Sequence, residues 1–170
     1  MVTSLAHRKS ELPLCIHTDA SDQYWAVCAT QCEEQELYKP IVDQRHEPLA
    51  FLSGAFSDRE THWTTYERKA YAVVQAFRKL DYILLCEDST RIFTDHRNLL
   101  FVFNPVALEP YLGRHKVLKV VLWALFLSSF SYRIEHVAVN DNTWPDIMTR
   151  WMRGYRRKNR CRRTADYYCS

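Results

Sequence analysis

The stretch YERKAYAVVQAFRKLDYIL, residues 66–84, is where the chain changes period. Tyr66, Ala70, Val73, Val74, Phe77, Leu80 and Leu84 fall on one helical stripe, and Arg68, Lys69, Arg78 and Lys79 lie outside it. That spacing predicts a long amphipathic helix. Ser57, Asp58, Thr61, Thr64 and Thr65 supply caps for a preceding turn and for the helix start. Upstream, residues 12–18, 24–31 and 48–53 are short runs of strand-forming residues separated by polar connections, the pattern of an antiparallel meander. The connection from Cys32 to Glu47 is long and charged, and is expected to protrude rather than join the core. Downstream, Arg91 to Thr94 reads as a strand ending at Asp95, and Asn104-Pro105 and Glu109-Pro110 then interrupt regular structure. Residues 114–128 read as a helix, cationic at its start and apolar around most of the rest. Tyr132, Ile134 and His136 alternate with polar residues as in a half-buried strand, and Asn142, Thr143 and Pro145 open a short last helix. The order βββαβαβα implies a mixed sheet with helices packed on its faces.

A chain of 170 residues with 47% hydrophobic and 25% charged content can bury one sizeable core. One domain over 12–151 is expected, between an N-terminal linker, 1–11, and a basic tail, 152–170. The first residues carry no apolar core of the length that a secretory signal needs. The longest apolar run, Val120 to Leu127, reaches only about 12 Å as a helix against a bilayer core of roughly 30 Å. No membrane association is therefore expected. Cys15, Cys28, Cys32, Cys86, Cys161 and Cys169 form no CxxC pair, and Cys15, Cys28 and Cys86 lie in apolar elements, so reduced core thiols and an intracellular location are the reading, with cytoplasm and nucleus unresolved. The net charge of +3 is unevenly spread. Residues 1–151 hold 16 Lys and Arg against 19 Asp and Glu, a balance of −3, whereas 152–170 hold seven basic residues against Asp166 alone, a balance of +6. Such a tail attracts phosphate backbones, or is simply solvated.

Four acids occupy positions suited to metal chemistry. Asp19 follows the first strand, Asp95 ends the fourth, Glu67 borders the buried stripe of the long helix about 20° from Val74, and Asp146 opens the last helix. Divalent ions that assist phosphodiester hydrolysis need carboxylates converging from several elements. Each acid alone has an ordinary structural role as a turn residue or helix-start acid.

The wording around all four acids carries a resemblance. His17-Thr18-Asp19-Ala20-Ser21, Glu47-Pro48-Leu49-Ala50-Phe51-Leu52-Ser53, Tyr66-Glu67-Arg68-Lys69-Ala70 and Phe93-Thr94-Asp95-His96-Arg97-Asn98-Leu99, closed by Asn142-Thr143-Trp144-Pro145-Asp146, resemble the ribonuclease H domain of reverse transcriptase polyproteins from gypsy-class LTR retrotransposons. The resemblance spans residues 12–151. It implies an α/β (α+β mixed sheet) ribonuclease H-like fold: a five-stranded mixed sheet with an antiparallel first three strands and helices on its faces. It also implies a metal-dependent endonuclease in which Asp19, Glu67, Asp95 and Asp146 hold two Mg²⁺ ions, or Mn²⁺, and cut the RNA strand of an RNA–DNA hybrid. A polymerase module in the parent polyprotein would be its partner. Ser21, Arg97, Asn98 and Arg114 are candidate contacts to the hybrid, because hydroxyl, amide and guanidinium groups suit phosphates and 2′-hydroxyls. Two departures stand out: Trp25-Ala26 replaces a small Gly-Ala step, and Pro145 replaces a small residue before the last acid. The alternatives are a catalytically silent fragment that binds nucleic acid or protein, and a metal nuclease of the same superfold with another substrate.

Overall fold

Five strands form one sheet in the order β3-β2-β1-β4-β5: β1 Leu14–Ala20, β2 Tyr24–Gln31, β3 Glu47–Ala55, β4 Thr90–Thr94 and β5 Tyr132–His136. The first three pair antiparallel, and β4 joins β1, and β5 joins β4, in parallel. This is the five-stranded mixed sheet expected from the residues. The structure, a computed structural model, describes residues 4–85, 90–103 and 117–152. The helices are α1 Asp58–Thr61, α2 Thr65–Lys79, α3 Asp81–Leu84, α4 Asn98–Val102, α5 Val117–Leu127 and a last helix, α6, over 143–152. The single long helix expected from the stripe breaks at Leu80, whose backbone leaves the helical region at φ −117° and ψ 16° before the chain turns into α3.

α2 lays Ala70, Val73, Val74, Ala76 and Phe77 on one face of the sheet, over Leu14 and Ile16 of β1 and Trp25, Val27 and Ala29 of β2. Its three buried alanines let the helix sit close to the strands. Phe77 is fully buried, edge-on to the Phe130 and Tyr132 rings at 4.8 and 5.3 Å. Burial of such a side chain is worth about 1.5–3 kcal/mol. Thr64 starts α2 with a reciprocal cap: its hydroxyl accepts from the Glu67 backbone N–H at 3.3 Å, and the Glu67 carboxylate accepts from the Thr64 backbone N–H at 2.8 Å.

The connection after β2 does more than protrude. It forms two 3₁₀ turns, Glu34–Tyr38 and Ile41–Asp43, and its apolar residues Leu37 and Ile41 pack with Cys15, Cys32, Phe93 and Val137 on the opposite face of the sheet. Two apolar side chains among the charges are enough to tether a loop otherwise suited to water. Trp25 is accommodated in a way its size alone does not suggest. It is buried opposite Gly54 on β3, and a Cβ at Gly54 would lie 2.6 Å from the indole Cζ2. Pro48 pairs on the edge strand β3, where the absence of an N–H is tolerated, and its carbonyl accepts from the Ala6 N–H at 2.7 Å. Cys15, Cys28 and Cys32 are buried free thiols, while Cys86, Cys161 and Cys169 lie outside the described residues. Among the described residues no helix is long and apolar enough to cross a membrane.

Candidate active site

The parallel pairing of β1 with β4 sets the site. The last register pair is His17 with Phe93; Asp19 lies two residues on within β1, and Asp95 two residues on in the bend just past the end of β4. Adjacent strands lie about 4.8 Å apart, which brings the end of β1 and the bend that follows β4 close enough for the two carboxylates to share one partner. Such a pair of anions requires a cation or protons.

The cation in this structure is Lys69. Its Nζ donates to Asp19 Oδ1 at 3.1 Å and to both carboxylate oxygens of Asp95. The three side chains are largely shielded, with relative exposures of 12% for Lys69, 12% for Asp19 and 7% for Asp95. Asp19 Oδ2 accepts from the Thr149 hydroxyl at 3.2 Å, and that hydroxyl also lies 3.0 Å from the Asp146 carbonyl. α6 is fixed here by Asn142, whose buried side-chain amide donates to the Thr18 carbonyl at 2.8 Å.

Glu67 does not join this cluster. Two residues from Lys69 on a helix is a rotation of about 200°, so the two side chains leave α2 on nearly opposite sides. Glu67 Oε2 accepts from the Thr64 hydroxyl and N–H, and Oε1 pairs with Lys119 of α5 at 2.9 Å. The Lys119 ammonium also lies 3.7 Å from the centre of the Trp63 ring, so this cluster docks α5 against the start of α2. Burial acts most strongly on the Glu67 carboxyl, in the upward direction, but hydrogen bonds from Lys119 and Thr64 outweigh it and leave the group below the usual glutamate range. Asp146 lies on the same face of α6 as Thr149, and its Oδ1 accepts from Arg150 Nε at 2.9 Å.

Residues 9–130 match the model of the RNase H-like domain found in reverse transcriptase. The chain belongs to that family. This ribonuclease H-like domain is 26% identical over 144 residues to the enzymatic polyprotein of carnation etched ring virus, covering 85% of this chain and 20% of that protein. It is 25% identical over 148 residues to the genome polyprotein of petunia vein clearing virus (isolate Shepherd), covering 85% of this chain and 6% of that protein. The chain thus spans a fifth or less of those relatives. Among solved structures, RNase H1 from Halobacterium salinarum NRC-1 superposes with a TM-score of 0.55 at 14% identity over 79% of this chain and 92% of that one. The foamy viral protease-reverse transcriptase in complex with RNA/DNA hybrid gives 0.55 at 15% identity over 79% and 16%. Both likenesses are of fold.

Placed on this domain, the other candidate residues divide. Ser21 closes the β1–β2 turn, its N–H donating to the Tyr24 carbonyl at 2.8 Å and its hydroxyl lying 3.2 Å from that same carbonyl. Arg97 and Asn98 are exposed at the start of α4, directly after the Asp95-His96 step. Arg114 lies outside the described residues. His96 packs its ring 5.5 Å from that of Tyr66, and its buried Nδ1 has no hydrogen-bond partner among the described residues. Burial first, and then the Lys69 charge, hold its pKa below the ordinary histidine value. It is therefore a neutral neighbour of Asp95.

The donor set fits one hard divalent ion. Asp19, Asp95 and the Thr149 hydroxyl offer oxygen atoms, the chemistry that Mg²⁺ and Mn²⁺ prefer, around the place where the Lys69 ammonium lies. Glu67, the helix acid of the expected four, is turned to Thr64 and Lys119 and does not share the cation held by Asp19 and Asp95. Lys69 is the site residue that sequence reasoning placed elsewhere, outside the stripe. The signal was present: at about 100° per residue Lys69 lies only about 40° from Val73, on the border opposite Glu67.

Proposed function

We propose that this chain is the ribonuclease H module of a gypsy-class retroelement polyprotein, that it works beside a polymerase module, and that it engages an RNA–DNA hybrid whose RNA strand it hydrolyses. The observation that carries this reading is the convergence of Asp19 and Asp95, from adjacent parallel strand ends, on a single cation. Asp19 and Asp95 would hold a divalent ion, with Asp146 at the near end of α6. Such an ion supplies charge neutralisation at the scissile phosphate and an acidified water. Arg97 and Asn98, exposed shortly after Asp95 in the chain, would meet phosphate and ribose groups of the hybrid. His96 packs on Tyr66, and burial and the Lys69 charge lower its pKa, which disfavours a second positive charge on this side chain. The foamy viral relative of the fold is described with an RNA/DNA hybrid, which supports the substrate class.

A second reading, hybrid binding without cutting, is favoured by one specific observation: the cation on the two aspartates is supplied by the chain itself. The test is cleavage of an end-labelled RNA–DNA hybrid by the purified chain in Mg²⁺, Mn²⁺ or EDTA, with single-stranded RNA and Asp19→Asn as controls. Metal-dependent cutting confined to the hybrid and lost in Asp19→Asn is the result expected of the nuclease. A folded protein that retards the hybrid and leaves it intact at every metal concentration selects the second reading.

A further inference from the structure

We propose that Lys69 is a tethered counter-ion of the Asp19–Asp95 pair, so that its ammonium and a divalent metal ion compete for the same carboxylate oxygens. The inference concerns the edge described above, and it takes from the proposed function only that a divalent ion belongs there.

Three features carry it. Lys69 is aimed at the pair by α2 itself, since its helix position borders Val73, which is fully buried against the sheet. Its ammonium touches three of the four carboxylate oxygens of Asp19 and Asp95, and the fourth, Asp19 Oδ2, is held by Thr149. All three charged side chains are mostly withdrawn from water, which separates this cluster from the loosely solvated surface pairs that contribute little. An ammonium and a metal ion share neither ligands nor space, because like charges at contact distance repel strongly where solvent is scarce. A tethered ammonium also has the advantage of an effective concentration in the millimolar range, comparable with a free divalent ion. The flexible four-carbon stem of lysine lets it swing out when a metal ion displaces it. Lys69 therefore sets how much metal the edge demands.

The experiment is Mn²⁺ titration of the full chain, followed by electron paramagnetic resonance of the free ion, for wild type, Lys69→Gln, Lys69→Glu and Lys69→Gln/Asp95→Asn. Lys69→Gln keeps polarity and most of the length without charge, and is expected to bind Mn²⁺ at least tenfold more tightly than wild type. Lys69→Glu, which adds a carboxylate at the same place, is expected to bind more tightly still, and the Asp95→Asn double variant to lose the gain. Equal affinity of wild type and Lys69→Gln overturns the proposal. Because removing the ammonium leaves two adjacent carboxylates, circular dichroism accompanies each titration. A Lys69→Gln protein that folds only on adding Mn²⁺ supports competition. Wild type supplies a measurement that does not depend on any variant: acetylation of Lys69, read by mass spectrometry, is expected to be slower than that of exposed Lys79 in EDTA and to accelerate as Mn²⁺ binds. Rapid labelling of Lys69 in EDTA, or bound Mn²⁺ that leaves Lys69 protected, overturns it. Retention of the hybrid in a gel shift with EDTA is scored separately. Its loss removes the proposed substrate while leaving the competition between Lys69 and metal intact.

Discussion

His17 shows how one side chain ties the stability of this domain to pH. It sits in β1 two residues before Asp19, stacked on Phe93 at 4.8 Å and edge-on to His46 at 5.1 Å, and its buried Nε2 has no hydrogen-bond partner among the described residues. Burial, reinforced by the nearby His46, holds its pKa down to about 3 from an ordinary 6.5. The unfolded chain therefore binds more protons than the folded one between those values, and stability that is complete above pH 6.5 is lost as the pH falls toward 3. At pH 5 the loss attributable to His17 is roughly 2 kcal/mol. Replacing it by phenylalanine, which keeps the ring and removes the titration, is expected to flatten the denaturant midpoint between pH 6.5 and 5 relative to wild type. Parallel midpoints in the two proteins would show that His17 does not carry the dependence. Glu67 and Lys69 are the other residue-scale lesson: neighbours in the same helical turn, one serves a cap and the other the site.

Among the elements, β2, β3 and the start of α2 each make a testable demand. Trp25 fills space over Gly54 that no other residue at position 54 would leave. Gly54→Ala is expected to cost about 1–3 kcal/mol through overpacking against the indole. Most of that should return in a Trp25→Val background, where the blocking ring is gone. A thermal-melt double-mutant cycle measures the coupling, and additive effects of the two changes would show that the ring and the glycine act independently. At the start of α2, Glu67→Ala removes the side chain that receives the Thr64 N–H and the Lys119 ammonium. A loss of about 1–2 kcal/mol is expected from the cap and the ion pair together. Because the carboxylate faces Thr64 and Lys119, that loss should be the same in EDTA and in millimolar Mn²⁺, and Mn²⁺ affinity should not change. A Glu67→Ala protein that binds metal more weakly would place Glu67 among the ligands. The expectation of one unbroken helix from residue 66 to 84 fell to a local event at Leu80, whose backbone leaves the helical region and starts α3.

For the molecule as a whole, charge is divided along the chain, −3 over residues 1–151 and +6 over 152–170. Were the basic segment to hold the proposed hybrid, counterion release would govern the contact, so deleting residues 153–170 should weaken binding more at 50 mM than at 200 mM salt and flatten the salt slope. An unchanged slope in a filter-binding titration would assign the phosphate contacts to the domain. The fold was legible from the strand-forming runs before residue 54, set off by polar connections, and from the 3.6-residue stripe after 66, because residue type and the spacing imposed by burial of one helix face are both recorded in local sequence. Asp19 and Asp95 were legible as strand-end acids, and their family wording placed them together in advance. The covering of the second sheet face by Leu37 and Ile41, the seating of Trp25 on Gly54, and the exchange of roles between Glu67 and Lys69 were not. Each depends on what lies across a gap from the residue, and that is set by strand register and helix rotation together. A wheel drawn from sequence shows two charged residues bordering one apolar stripe. Only the packed sheet decides which border faces the aspartates, because the pairing of β1 with β4 fixes where the negative charge lies and the docking of α2 fixes which side chain meets it.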